Sequence, residues 1–316
     1  MFKNGVSLGL AALGRPGYIN LGRGTDFPTG SLRTIEQMKA QAFEVLDAFY
    51  EGGGRHIDCA RSYGHAEEFC SKWLSERDKD DDVYVSSKWG YRYTADWKID
   101  TGGQPHELKE HTAPHFASQV QDSFAYIPSL ALYQTHSATP ESGAFSDEVL
   151  LALKQLKEQN GIAIGLSTSG PNQAATIELA CARKDIFSMV QTTFNPLAQA
   201  AGPALMRARE AGLDVLVKEG MANGRLLQSP PSELVAVSED IGESIDAVVL
   251  GLVLASPFRP QVLSGAVTPS QVTSNMRALS ARDYFFQNEQ TRVDLMMACK
   301  QDEHEYWKDR SNLAWN

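Results

Sequence analysis

Eight times along this 316-residue chain, a short apolar run alternates with residues whose apolar positions recur at helical spacing. The runs at 6–13, 56–60, 83–89, 130–136, 162–168, 189–194, 213–217 and 261–267 read as strands. The stretch 34–50 reads as a helix, with Ile35, Met38, Ala42, Val45, Leu46 and Phe49 on one face and Gly52 as its stop. The stretch 148–159 repeats the pattern with Val149, Leu150, Leu153 and Leu156, and Asn160-Gly161 closes it. Strands that are apolar throughout, rather than alternating, are buried on both faces, as in parallel sheets. Regular alternation with no second composition regime favours one (β/α)8 TIM barrel. The expected layout is a single domain over 1–316, with the barrel at about 6–280 and a tail at 281–316. An open doubly wound sheet is the rival. It usually carries GxGxxG after its first strand, and Gly5-Val6-Ser7-Leu8-Gly9 does not match. The segment 90–110 is polar and aromatic with no clear period; a connection that long is usually functional or mobile. A last helix is expected to end near Leu279, opened by Thr268 as N-cap and Pro269 at N1.

Composition narrows the function. The net charge of -10 and the scattered basic residues argue against a nucleic-acid or anionic-membrane partner. Cys59, Cys70, Cys181 and Cys299 lie far apart without CxxC spacing, which fits reduced thiols in a cytoplasmic protein and not a zinc cluster. No apolar run reaches the length of a membrane span, and Met1-Phe2-Lys3-Asn4-Gly5 lacks a signal-peptide core. Walker A, HExxH and GxSxG motifs are absent, and no histidine has a metal-ligand spacing, so no metal site is expected.

The chemistry gathers at strand ends. Three consecutive strands end in or near Asp58, Lys88 and His136, and Tyr63 follows Asp58 by five residues. In a parallel barrel these ends converge on the face where catalysis sits. One ionisable residue at one strand end is ordinarily a rim residue; a run of three beside a Tyr is harder to read that way. A phenol titrates near ~10 and needs help to act at neutral pH. An ammonium at Lys88 is expected to lower that pKa, with Asp58 pairing to Lys88. His136 suits a hydrogen bond to a substrate oxygen. Such a set protonates a carbonyl oxygen while hydride arrives at carbon, and hydride requires a redox cofactor.

Asp58, Tyr63-Gly64, Lys88 and His136 resemble the Asp-Tyr-Lys-His tetrad of the aldo-keto reductase superfamily. Gly165-Leu166-Ser167-Thr168 is similar to the family's strand-five motif, and 190–197, containing Gln191, to its strand-six motif. The segment 265–271, followed by Asn275, resembles the turn and helix start that hold the adenosine phosphate end. The likeness runs from about Val6 to Leu279. It implies a barrel that binds NADPH without a Rossmann fold and reversibly reduces aldehydes or ketones. By resemblance Tyr63 is the general acid/base, Lys88 and Asp58 tune it, and His136 orients the carbonyl. Ser167, Thr168 and Gln191 are then expected at the nicotinamide amide, and Gly265, Gln271 and Asn275 at the adenosine end. Lys218 stands where the family commonly has an aromatic that stacks on the nicotinamide, and it joins the expected cofactor-binding set. Val267 and Gln271 stand where many relatives carry Ser, Lys or Arg for the 2′-phosphate. NADPH remains the expected cofactor, with NADH the competitor and Arg225 and Arg277 as unassigned basic residues. Candidate pocket walls are Tyr18, Ile19, Trp89, Tyr91, Tyr93 and Trp97, with Trp307 and Trp315 able to fold over the mouth. The partner is then a small carbonyl or alcohol substrate. The alternative is a cofactor-binding partner protein with little turnover, similar to the β subunits of potassium channels; the complete tetrad disfavours it.

Overall fold

The computed structural model describes residues 4–22, 26, 33–78 and 82–316. In chain order it runs β1 (Val6–Gly9), α1 (Ile35–Glu51), β2 (His56–Asp58), α2 (Ala66–Arg77) and β3 (Tyr84–Trp89). Two short strands follow, β4 (Tyr91–Tyr93) and β5 (Glu107–Lys109), then α3 (Ala113–Tyr126), β6 (Leu132–Ala138), α4 (Asp147–Asn160) and β7 (Ala163–Thr168). Next come α5 (Gln173–Ala182), β8 (Phe187–Thr193), α6 (Gly202–Glu210), β9 (Asp214–Lys218) and the one-turn α7 (Arg225–Gln228). The chain continues through α8 (Ser232–Ile241), α9 (Ile245–Leu254), β10 (Gln261–Ser264) and α10 (Pro269–Met276). It ends with α11 (Ala278–Gln287), α12 (Glu289–Cys299) and α13 (Glu303–Ser311).

The parallel strands close in the order β1-β10-β9-β8-β7-β6-β3-β2. All eight expected strands are present, and the fold is the (β/α)8 barrel read from the sequence. The helix boundaries have local causes. Thr34 and Gln37 form a capping box on α1. Thr268 caps Gln271 N–H ahead of Pro269 at the start of α10, and Gly161 ends α4 in the left-handed conformation that glycine adopts freely. Gly242, in the left-handed conformation, ends α8 ahead of α9.

Two expectations change. The aperiodic 90–110 segment is a β-hairpin, with Tyr91 opposite Lys109 and Tyr93 opposite Glu107. Its strands are three residues each, too short to show a period in the sequence. Beyond 280 the chain is helical and packed. A Cβ on Gly251 in α9 would stand 2.5 Å from Ala281 Cβ, so the missing side chain lets α11 lie directly on α9.

Strand alternation decides what the barrel encloses. Leu132, Met189 and Leu216 form a separate buried cluster with Ala163 and Leu263. Two residues further along each strand, the inward positions become polar. Leu132 is followed by Gln134 and His136, Met189 by Gln191, and Leu216 by Lys218. Ile57, Val85, Ile164, Leu166, Val190 and Val217 belong instead to the large core cluster shared with the helices. The barrel is therefore greasy at its amino end and polar where its strands finish.

Candidate active site

The polar layer is one connected network. His56 bridges Ser7 Oγ (2.8 Å) and Ser86 Oγ (2.9 Å). Ser86 Oγ donates to Asp58 Oδ1 at 2.6 Å, and Gln134 Nε2 donates to the same oxygen at 3.0 Å. Gln191 Nε2 donates to Asp58 Oδ2 at 3.3 Å. Lys88 forms a buried ion pair with Asp58 and donates to Cys59 O at 2.8 Å. Register explains the convergence: Asp58 pairs with Ser86 across β2–β3, and Lys88 with Gln134 across β3–β6. Burial of His56 pushes its pKa down to about 4, so it is a neutral hydrogen-bonding link.

Tyr63 and His136 lie on the cavity side of this network. The phenol oxygen is 3.3 Å from His136 Nε2, and the rings meet edge to face at 5.4 Å. Ser62 Oγ lies 3.5 Å from His136 Nδ1. The Lys88 ammonium sits 4.9 Å from the Tyr63 ring centroid, and the Arg15 guanidinium 5.1 Å from it. Lys88 does not bring the phenol pKa below its usual value. Burial pushes Tyr63 well up, Tyr18 and Asp58 push it further, and Arg15 offsets this in part. The ammonium's hydrogen bonds go to Asp58 and to Cys59 O rather than to the phenol. Burial, then Lys88, Lys218, Arg15 and His111, hold His136 well below the usual imidazole pKa. Its ring is neutral.

His136 is also held through its backbone. His111 Nε2 lies 2.8 Å from His136 O, Lys109 Nζ donates to Ser137 O at 2.9 Å, and Ser137 N–H donates to Ser167 Oγ at 2.8 Å. Ser137 has φ +52, an uncommon conformation for a residue with a side chain, and the β6–β7 register shifts between Thr135 and Ala138. Three bonds thus fix a kink next to the imidazole.

A cavity of about 710 Å³ opens at these strand ends. Asp58, Tyr63, His136, Gln191, Lys218, Gly265, Gln271 and Asn275 all line it. Lys88 lies just beneath, against Asp58. Ser167 and Thr168 do not line it. The Ser167 hydroxyl accepts the Ser137 N–H, and Thr168 points to the helix side of β7, where its hydroxyl donates to Gln173 Oε1 at 3.0 Å. Ser137 and Ser169 take their places on the wall. Trp89 is fully buried against Phe116 and is core. Tyr18, Ile19, Tyr91 and Trp315 are walls; Tyr93, Trp97 and Trp307 are not. Arg277 turns to Glu243 and Arg225 to Asp309, so neither faces the cavity.

Sequence reasoning missed the charged rim. Arg15, 3% exposed, pairs with Glu107 Oε2 at 2.9 Å and lies over Tyr18, Tyr63 and Trp315. Arg310 grips Glu219 through two nitrogens at 2.6 and 3.0 Å, and Thr193 Oγ1 donates to the same carboxylate at 3.1 Å. Arg310 and Lys218 hold the Glu219 pKa down at about 2 despite burial. The tail closes over the mouth: Tyr18 and Asn316 exchange backbone hydrogen bonds at 3.0 and 3.1 Å, and Trp315 stacks on His106 at 4.0 Å. Glu219 had a signal in its position beside Lys218. Glu107 and Arg310 had none.

The chain belongs to the aldo/keto reductase family, whose model matches residues 21–288. Aldo-keto reductase AKR11C1 from Bacillus halodurans, in its holo form, superposes with a TM-score of 0.69 at 20% identity, covering 92% of this chain and 91% of that one. Among curated relatives, norsolorinic acid reductase of Aspergillus flavus is 38% identical over 58 residues, 18% of this chain and 15% of that protein. Aldo-keto reductase ausK of Emericella nidulans is 24% identical over 227 residues, 67% of this chain and 54% of that protein. The first curated relatives are matched over only 15% to 30% of their own length. No described helix is long and apolar enough to cross a membrane.

Proposed function

We propose that the chain is a nicotinamide-dependent oxidoreductase that interconverts an aldehyde or ketone with its alcohol. One observation carries this reading. The Tyr63 hydroxyl stands 3.3 Å from a neutral His136 inside the cavity, with the Lys88–Asp58 pair buried behind it. The kinship with reductases adds weight to it.

The cavity has the makings of a dinucleotide site. Ser169, Gln191 and Lys218 offer polar groups near Tyr63, and Gly265, Ser270 and Asn275 line the far end. When bound, the nicotinamide supplies hydride to the carbonyl carbon. The rest belongs to the protein's own groups. Burial keeps the Tyr63 phenol protonated at neutral pH, so it holds the proton that the carbonyl oxygen needs. His136, in the tautomer bearing its proton on Nε2, donates a hydrogen bond to that oxygen and orients it. Lys88, paired with Asp58 and 4.9 Å from the Tyr63 ring, is the ammonium nearest the phenolate left when Tyr63 gives up its proton. Ser167 acts through Ser137, keeping the kink that aims His136. The free thiols fit a reducing cytoplasm.

The test is Tyr63→Phe, assayed on a panel of aldehydes and ketones and, in reverse, alcohols. Turnover is expected to collapse by at least ~100-fold, the usual weight of a general acid, while dinucleotide binding by fluorescence quenching persists. Undiminished turnover removes Tyr63 from the reaction.

A further inference from the structure

The far end of the cavity differs in charge from the end at Tyr63. Its lining runs from Asp26 and Asp246 through Ser264, Ser270, Gln271 and Asn275. None of the described lining residues there is a lysine or arginine; Arg15, Lys218 and Arg310 lie on the Tyr63 side. Asp246 sits on α9 facing α10. Its Oδ1 accepts from Ser274 Oγ at 2.9 Å and its Oδ2 from Asn275 Nδ2 at 2.6 Å. Both contacts are neutral donors, so neither brings a cation to the carboxylate, and it has lone pairs to spare.

The turn before α10 gives an added phosphate little purchase. An anion-binding turn presents unpaired backbone N–H groups. Here Ala266 N–H donates to Ser264 Oγ at 3.1 Å, Val267 N–H to Gln271 Oε1 at 2.8 Å, and Gln271 N–H to Thr268 Oγ1 at 3.2 Å. The Gln271 amide nitrogen is committed as well, to Asp26 Oδ1 at 2.8 Å. Val267 is 3% exposed and brings no charge. The nearby basic side chain on this helix's end, Arg277, spends its guanidinium on Glu243 at 2.5 and 2.8 Å.

We infer that this end of the cavity takes an adenosine ribose bearing free hydroxyls, so that the chain binds NADH in preference to NADPH. Carboxylate and serine oxygens accept hydrogen bonds from ribose hydroxyls, whereas a 2′-phosphate would bring about two more negative charges toward Asp246, which has only neutral hydrogen-bond partners among the described residues; the described cation at this end, Arg33, does not line the cavity and faces Asp26. The preference departs from the NADPH expected from the family resemblance. It rests on the nicotinamide-dependent reading, but its test separates the two.

The experiment is equilibrium titration of the full chain with NADH and with NADPH, followed by nicotinamide fluorescence or calorimetry, without substrate. NADH is expected to bind at least ~10-fold more tightly at low ionic strength. Raising salt to ~1 M, where the screening length falls to about 3 Å, should narrow the ratio because the discrimination is charge repulsion. Asp246→Asn should narrow it at low salt, and Val267→Arg should raise NADPH affinity; a thermal melt of each variant checks its fold. Equal or tighter binding of NADPH by the unaltered chain overturns the inference and leaves the oxidoreductase reading standing. A ratio that neither salt nor Asp246→Asn moves also overturns it. If neither dinucleotide binds, the oxidoreductase reading falls with it.

Discussion

Lys218 offers a test of the charge balance at the cavity that needs no substrate. It is half-buried at the end of β9, and the charged groups facing it are Glu219, Arg310, Lys88 and Lys109. Burial, with the repulsion of Arg310, Lys88 and Lys109, lowers its pKa from 10.5 to about 8, although Glu219 works the other way. Glu219 is the largest single charge acting on it, and burial with the three cations outweighs it. In the unfolded chain the ammonium titrates near ~10.4. Between pH 8 and that value the unfolded chain binds more protons, so stability rises with pH across the window. Below pH 8 the full cost of the buried charge is present. At ~1.4 kcal/mol per pKa unit that cost approaches ~3 kcal/mol, and solvent screening of a half-buried group trims it to about 2 kcal/mol. Lys218→Met keeps the stem and removes the charge. The variant is expected to be more stable than the parent by about 2 kcal/mol at pH 7, with the difference closing as pH climbs from 8 towards 10.5. Denaturant unfolding of both proteins from pH 6 to 10 reads this directly, and the comparison cancels the tyrosines and cysteines that titrate in the same range. A variant no more stable than the parent at pH 7, with the same pH slope, would refute the reasoning.

Arg310→Ala leaves Glu219 buried without its main partner and should cost about 3–5 kcal/mol in unfolding free energy; Glu219→Gln made in the same background should recover part of that loss. Gly14→Ala should destabilise by about 1–3 kcal/mol and depress turnover, because its Cβ would fall 2.3 Å from Tyr63 O and 2.5 Å from Ala66 Cβ, moving the loop that carries the phenol. Deleting residues 313–316 removes Trp315 from the wall and the backbone pairing with Tyr18, and steady-state kinetics should show a raised KM with a smaller change in kcat.

The barrel was legible because it is written in a repeat: eight apolar runs, each followed by a helical period. The tetrad was legible because its members sit at successive strand ends, where chain position and spatial position agree. Thr168 went astray at finer grain. A strand alternates every residue, and assigning 163–168 as a strand does not say which parity faces inward. Gly165 supplies the missing clue, since its inward Cβ position lies 3.2 Å from Gln134 Cγ. That parity turns Ser167 inward and Thr168 out to the helices. The hairpin at 90–110 was illegible because six strand residues contain too little alternation to detect. The tail helices were missed for a related reason: α12 and α13 bury only a few side chains each, among them Leu295, Met296, Tyr306 and Trp307, so neither shows a broad apolar face.

The rim shows how the mouth is assembled from parts remote in sequence. Arg15, in the loop after β1, reaches Glu107 in β5; Arg310, in α13, reaches Glu219 at the end of β9. Each pair joins segments that the barrel's hydrogen bonds leave unconnected, and each is mostly sheltered from water. Buried pairs of this kind add little net stability over apolar residues of the same size, but losing one member is costly. Their effect is thus on geometry: a hairpin and a tail are held where Tyr91 and Trp315 form the cavity wall. The same pairs set the charge. Arg15 is matched by Glu107 and Arg310 by Glu219, while Lys88 is matched by Asp58 below. Lys218 is the cavity-lining cation with no ion pair among the described residues, at the end of the cavity opposite Asp246. A cavity positive beside Tyr63 and negative beside α10 favours a ligand of opposite polarity along its length. Charge reversal of either end, by Lys218→Glu or Asp246→Lys, should therefore alter dinucleotide affinity in a salt-dependent way, whereas Lys218→Met should alter it with a weaker dependence on salt.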